Sequence, residues 1–183
     1  EIDIASGRTL GVEALLRWRH PSRGLLGPDQ FLAIAEESGL MVPIGDWVLQ
    51  QACRQARTWQ DQGYPVAVAV NLSAAQFAHG GLVHSVEEAL RLSGLEPQFL
   101  DLEITEAVIM RGDEATLATV NALRERGVQL TIDDFGEGYS ALSLASAATI
   151  RSGSSVRRMR LAVASHSGTL DVNTRCLMVS NCA

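Results

Sequence analysis

Leu130-Thr131-Ile132-Asp133-Asp134-Phe135-Gly136-Glu137-Gly138-Tyr139-Ser140 joins an apolar, β-branched run to two adjacent carboxylates and a glycine-rich turn. The run reads as a strand. Side chains alternate along a strand, so Asp133 and Asp134 point to opposite faces while the strand stays regular. Both reach one site only where the strand ends and the backbone bends, and Gly136 and Gly138 permit that bend. Two hard oxygen donors at a strand tip suit Mg²⁺ or Mn²⁺. A solvated Asp-Asp turn is the alternative reading of these residues alone.

Upstream of this stretch the pattern alternates. Residues 113–126 read as a helix closed by Gly127, and residues 99–106 as an alternating strand with acids at its end. A helix over 82–93, closed by Gly94, precedes it. Before that lies Val66-Ala67-Val68-Ala69-Val70, a continuous apolar run ending in Asn71-Leu72-Ser73. Such runs are typical of parallel strands covered on both faces. A long helix is expected from 44 to about 62, with Trp47, Val48, Cys53 and Trp59 on its apolar side. A shorter one, capped by Asp29, is expected from 30 to about 38, with Phe31, Ile34 and Ala35 on its buried face. The chain opens with a turn at Ser6-Gly7 and a mostly apolar strand holding Glu13. Trp18-Arg19-His20-Pro21 then leads into a loop through Gly24 and Gly27.

The order strand, helix, strand, helix, strand, helix, strand is repeated βαβ. It implies an α/β fold with a parallel sheet and right-handed crossovers. Glu13 lies toward the exit of the first strand. Asn71, Glu103 and the Asp133-Asp134 pair lie at the C-terminal ends of the next three. Ligand sites in parallel α/β folds gather at that edge, so an oxygen-rich metal site is expected there. A salt bridge from Glu13 to Arg17 or Arg19 is the alternative for that buried acid. His20, His79, His84 and His166 are dispersed and read as surface or packing residues.

The 183-residue chain is long enough to bury the core of one domain. A net charge of −6 argues against a nucleic-acid polymer or an anionic membrane as the main partner. All 15 basic residues are arginine, which removes lysine from any catalytic role. Cys53, Cys176 and Cys182 lack metal-ligand spacing and read as free thiols in a reducing cytoplasm. No apolar stretch is long enough to span a bilayer. Glu1 looks like a start cut from something longer. Residues 1–142 hold 10 Arg against 20 acids, whereas 143–183 hold 5 Arg against Asp171 alone. The chain changes character near Leu142.

Several ordered motifs resemble the EAL-domain family of bacterial cyclic diguanylate phosphodiesterases. They are Glu13-Ala14-Leu15-Leu16-Arg17-Trp18-Arg19-His20-Pro21, the stretch from Phe31 to Gly39, Ile44-Gly45-Asp46-Trp47-Val48-Leu49 and Asn71-Leu72-Ser73. Leu102-Glu103-Ile104-Thr105-Glu106 and Asp133-Asp134-Phe135-Gly136 with Gly138-Tyr139-Ser140 complete the set. The resemblance implies a TIM-like (β/α) barrel with divalent cations, Mg²⁺ or Mn²⁺, at its C-terminal mouth. It assigns the metals to Glu13, Asn71, Glu103, Asp133 and Asp134, with Glu13, Asp133 and Asp134 central to catalysis. Arg17 is expected to contact a substrate phosphate, and Glu106 to anchor the loop after Asp134. The implied reaction opens one phosphodiester bond of the cyclic dinucleotide. The implied partners are cyclic diguanylate, a second copy of the chain, and sensory or diguanylate cyclase-like domains of a parent that is cytoplasmic or anchored to a membrane.

The match breaks in two places. Glu137 stands where the family usually carries Thr, adding a carboxylate beside the expected metals. After Leu142 the family continues with a Lys-x-Asp strand and further acids, and 143–183 holds none of these. About four strands are read where a barrel needs eight. Hence 1–142 is expected to be a partial EAL-like domain and 143–183 an irregular or disordered tail. A reading-frame shift near Leu142 would explain the tail. Read one base later, a codon choice for Ser152-Gly153-Ser154-Ser155-Val156-Arg157-Arg158 gives Asp-Arg-Ala-Phe-Val, close to the family's Asp-Arg-Ser-Phe-Val. Little activity is expected of this chain. The alternative is a non-catalytic module that binds a cyclic dinucleotide or a protein in bacterial signalling.

Overall fold

In chain order the elements are β1 (Gly11–Leu15), β2 (Arg17–His20), β3 (Gly24–Leu26), α1 (Leu32–Glu37), α2 (Met41–Asp61), β4 (Ala67–Leu72), α3 (Ala74–His79) and α4 (Leu82–Ser93). They continue with β5 (Leu100–Thr105), α5 (Glu106–Met110), α6 (Glu114–Glu125), β6 (Gln129–Asp133), β7 (Arg160–Ala162) and β8 (Leu170–Asp171). The computed structural model describes residues 2, 9–110, 113–133, 160–162 and 170–171. Five strands form a parallel sheet in the order β6-β5-β4-β1-β7. A smaller antiparallel sheet runs β3-β2-β8.

The parallel sheet follows from alternation. In β5, Leu100, Leu102 and Ile104 are buried at 1% exposure or less. With Val68, Val70 and Leu72 of β4 they form the face that packs on helices. The opposing stripe of α2 is Ile44, Val48, Leu49, Ala52, Cys53 and Ala56. These positions recur at helical spacing. Leu82, Val86 and Ala89 of α4 complete the layer. Trp47 and Trp59, expected on the apolar side of this long helix, sit at the margin of the core and are only partly buried.

The helix ends follow local chemistry. Asp113 caps α6 by accepting a hydrogen bond from Thr116 N at 2.7 Å. Gly94 ends α4 at a φ of +69°, a conformation that costs glycine little. α2 starts three residues earlier than expected, with Pro43 in its first turn. The missing amide there has no intrahelical acceptor to lose.

Three expectations are corrected. Trp18-Arg19-His20-Pro21, expected to lead into a loop through Gly24 and Gly27, instead belongs to the hairpin β2–β3, in which His20 pairs with Gly24. Trp18 of β2 packs edge-on against His20 at 4.8 Å and Phe31 at 5.8 Å. Asp29 does not cap α1; it lies in a 3₁₀ turn over Pro28–Gln30, with Gly27 N donating to Gln30 Oε1 at 3.1 Å. Ile34 is 61% exposed, whereas Phe31 and Ala35 are buried. The short helices α3 and α5 carry too little periodicity to be read in advance. Of the segment 143–183 only β7 and β8 lie among the described residues.

Burial sets a pH dependence. Cys53 is fully buried on α2, and desolvation pushes its thiol up from 9.0 to about 12. The unfolded chain therefore releases this proton first. The associated stability is complete below about pH 9 and is lost between pH 9 and about 12, at up to ~1.4 kcal/mol per pH unit. Urea melts from pH 8 to 10.5 are expected to show this slope in the native chain and a flatter one in Cys53→Ala. Equal slopes would refute it.

Candidate functional site

Register decides which side chains meet. Glu13 pairs with Ala69, Ala69 with Asp101, and Asp101 with Gln129. Two residues further toward the strand exits, Asn71 pairs with Glu103 and Glu103 with Thr131. These positions share the sheet face opposite the helices. Glu13 thus starts one layer below Asn71, a step of roughly 6.6 Å along the strand. Its two methylenes span much of that step, and Asn71 Nδ2 donates to Glu13 Oε1 at 2.9 Å.

Glu13 and Glu103 line one small cavity of about 20 Å³ together with Asp101, Val12 and the small residues Gly11, Ala67 and Ala69. Glu13 is 8% exposed and Glu103 2%. Among the described residues, the face of β4 opposite the helices borders carboxylates as well as small apolar residues. Its alanines leave the room that the carboxylates occupy. Buried acids are retained at such a cost only where protons, donors or cations compensate them. Asn71 is thus one organising partner of the Glu13 carboxylate.

Asp101 was not singled out by the sequence reading. It lies two residues before Glu103 on the same strand face and accepts from Thr131 Oγ1 at 3.0 and 2.9 Å. Period-two alternation through Asp101 and Glu103 was the available signal. Thr131, in the row of Asn71 and Glu103, thereby ties β6 to Asp101 one layer below on β5.

The other expected site residues are placed less closely together. Arg17 opens β2 just after β1, and its Nη1 donates to Leu16 O at 2.7 Å. It is not among the cavity-lining residues. Glu106 is buried and opens α5 directly after β5. Asp133 closes the β6 backbone opposite Thr105 of β5. Asp134, Gly136, Glu137 and Gly138 lie outside the described residues. Among the described residues no three His, Cys, Asp or Glu side chains form a metal cluster by themselves. The donor chemistry of Glu13, Asn71 and Glu103 still fits a hard divalent cation: all offer oxygen, two carry charge, and the two acids share one cavity. Also among the described residues, no helix is long and apolar enough to cross a membrane.

The EAL domain family matches residues 2–151. The bifunctional diguanylate cyclase/cyclic di-GMP phosphodiesterase MucR of Pseudomonas aeruginosa is 55% identical over 138 residues, covering 75% of this chain and 20% of that protein. The cyclic di-GMP phosphodiesterase NbdA of the same organism is 45% identical over 141 residues, covering 76% of this chain and 18% of NbdA. The chain thus spans about a fifth of the length of these curated relatives. Among solved structures, the PaMucR phosphodiesterase in complex with c-di-GMP superposes with a TM-score of 0.73 at 54% identity. That match covers 77% of this chain and 57% of the other. The parallel sheet with its helices is accordingly an α/β fold, part of a TIM-like barrel.

Proposed function

Because the chain belongs to the EAL domain family, we propose that it derives from a metal-dependent phosphodiesterase that converts cyclic diguanylate to the linear dinucleotide. The observation that carries this reading is the pair of buried acids, Glu13 and Glu103, lining one cavity on the sheet face opposite the helices, with Asn71, nearer the strand exits, hydrogen-bonded to Glu13. Relatives named as cyclic di-GMP phosphodiesterases support the substrate class.

In this reading Glu13, Asn71, Glu103, Asp133 and Asp134 hold Mg²⁺ or Mn²⁺. The cations, when bound, neutralise the phosphate and supply hydroxide near neutral pH. Glu13, fixed by Asn71, presents its carboxylate without rearrangement. Arg17 binds a non-bridging phosphate oxygen through the guanidinium N–H groups that its bond to the Leu16 carbonyl leaves available. Glu106 holds the chain that follows Asp134. The proposed location is the cytoplasm. The proposed partners, beyond the dinucleotide, are a second copy of the chain and, as in bifunctional MucR, a cyclase-like domain in the parent. The proposed division of the chain is a partial domain over 1–142 and a separate segment over 143–183.

Low turnover is proposed for these 183 residues, since no lysine is present to fill the family's lysine role. Incubation with cyclic diguanylate in Mn²⁺, followed by chromatography, is expected to show slow appearance of the linear dinucleotide that stops in excess chelator. Neither cleavage nor calorimetric binding of the cyclic dinucleotide would overturn the reading. Binding without cleavage would favour the non-catalytic module.

A further inference from the structure

Gly45 stands inside the first half of α2, where alanine would be intrinsically favoured. Its reason is steric: a Cβ built there comes closer than 3.0 Å to the side-chain amide of Gln76. Gln76 is only 3% exposed. Its Oε1 accepts from both Ser73 N and Ser73 Oγ at 3.0 Å, and Gln76 N donates back to Ser73 Oγ at 3.4 Å. This reciprocal cap opens α3. Gln76 Nε2, pressed toward Gly45, has no hydrogen-bond partner among the described residues.

Burying an unsatisfied amide costs free energy, and a glycine in a helix costs more. A cap exposed to solvent would need neither. What the arrangement adds is position. Ser73 is two residues beyond Asn71, at the point where the chain leaves the sheet. With Leu72 buried and the Ser73 amide held, β4 has a fixed exit angle. Asn71 itself is solvent-exposed at this edge, so packing around its own side chain does not hold it.

We propose that Gln76, seated under Gly45, is a positioning residue that fixes the β4 exit and thereby holds Asn71 against Glu13. This deepens the proposed function, on which it rests for the consequence in metal binding but not for the geometry.

The test uses the full 183-residue chain with Gln76→Ala, Gly45→Ala and the double substitution. The first readout needs no metal: the side-chain amide resonances of Asn71, identified by their loss in Asn71→Asp. Gln76→Ala is expected to collapse them to solvent-like shifts and to speed exchange of the Ser73 amide about tenfold or more. Gly45→Ala is expected to do the same by displacing Gln76. The double variant is expected to melt close to Gln76→Ala, the clash being relieved, while the Asn71 resonances stay collapsed. Unchanged Asn71 resonances in folded Gln76→Ala would overturn the proposal, leaving Gln76 a cap and nothing more. Should Gln76→Ala fail to fold, Gln76→Glu decides, because it keeps the acceptor for Ser73. Retained Asn71 resonances are expected there, and their loss would overturn the proposal.

The second readout is Mn²⁺ titration followed by electron paramagnetic resonance, with affinity expected to fall roughly 10-fold in Gln76→Ala. Unaltered affinity with collapsed resonances would refute the link to the metal. A parent chain that binds no Mn²⁺ would defeat the proposed function instead, while the resonances still decide the role of Gln76.

Discussion

Glu13→Gln is expected to lower Mn²⁺ affinity by about 100-fold or more while leaving the fold intact, since an amide oxygen replaces a charged ligand at a hard-cation site. The substitution is informative because it separates charge from shape. Asn71 Nδ2 donates to Glu13 Oε1 in the native chain, and a glutamine oxygen accepts the same bond. The substitution keeps the side chain's length and this hydrogen bond, so the metal-free variant should melt close to the native temperature. Glu13→Ala differs: it also removes the acceptor that orients the Asn71 amide and leaves a void at a site only 8% exposed. That variant should lose affinity and stability together. Mn²⁺ titration paired with thermal melts in chelator checks both. Glu13→Gln binding Mn²⁺ as tightly as the native chain would remove Glu13 from the ligand set.

The second large effect is on stability. Leu102 is fully buried at the centre of β5, in register with Val70 of β4 and Leu130 of β6. Leu102→Ala deletes methyl groups from the layer between sheet and helices and leaves a cavity, at a cost of about 3–4 kcal/mol. That is a large share of the roughly 5–15 kcal/mol typical of a domain. Leu92→Ala is the control: Leu92 is 47% exposed on α4, and its removal should cost less than about 1 kcal/mol. Urea unfolding of the two variants beside the native chain gives the comparison. Equal midpoints for Leu102→Ala and Leu92→Ala would mean that the β5 core is not formed in solution. Because Glu103 is the next residue, Leu102→Ala should also weaken Mn²⁺ binding before it unfolds the chain.

Much of this was legible in the linear order of residues. The helix over 82–93 was read with the bounds that α4 has, because a three-and-four spacing ending in Ser93-Gly94 is local information. The strands holding Asn71 and Glu103 were legible for the same reason. The hairpin β2–β3 was not. Its pairing depends on Trp18 meeting Phe31 across 13 positions, and nothing local to Pro21 or Gly24 encodes that contact. The exposure of Ile34 was equally hidden. Helical spacing defines a face, but the neighbours decide which part of that face is covered.

The sequence by itself determined the βαβ order, the set of oxygen-bearing residues and their placement near strand ends, because these depend on periodicity and chain order alone. Only the tertiary structure decided that Glu13 sits one layer below Asn71 and reaches it by length, that Asp101 joins the same cavity, and that Gly45 exists to admit Gln76. Each of these is a contact between residues 31 to 88 positions apart. Strand register and helix docking set such contacts, and both are settled by burying the whole apolar layer at once rather than by any one segment.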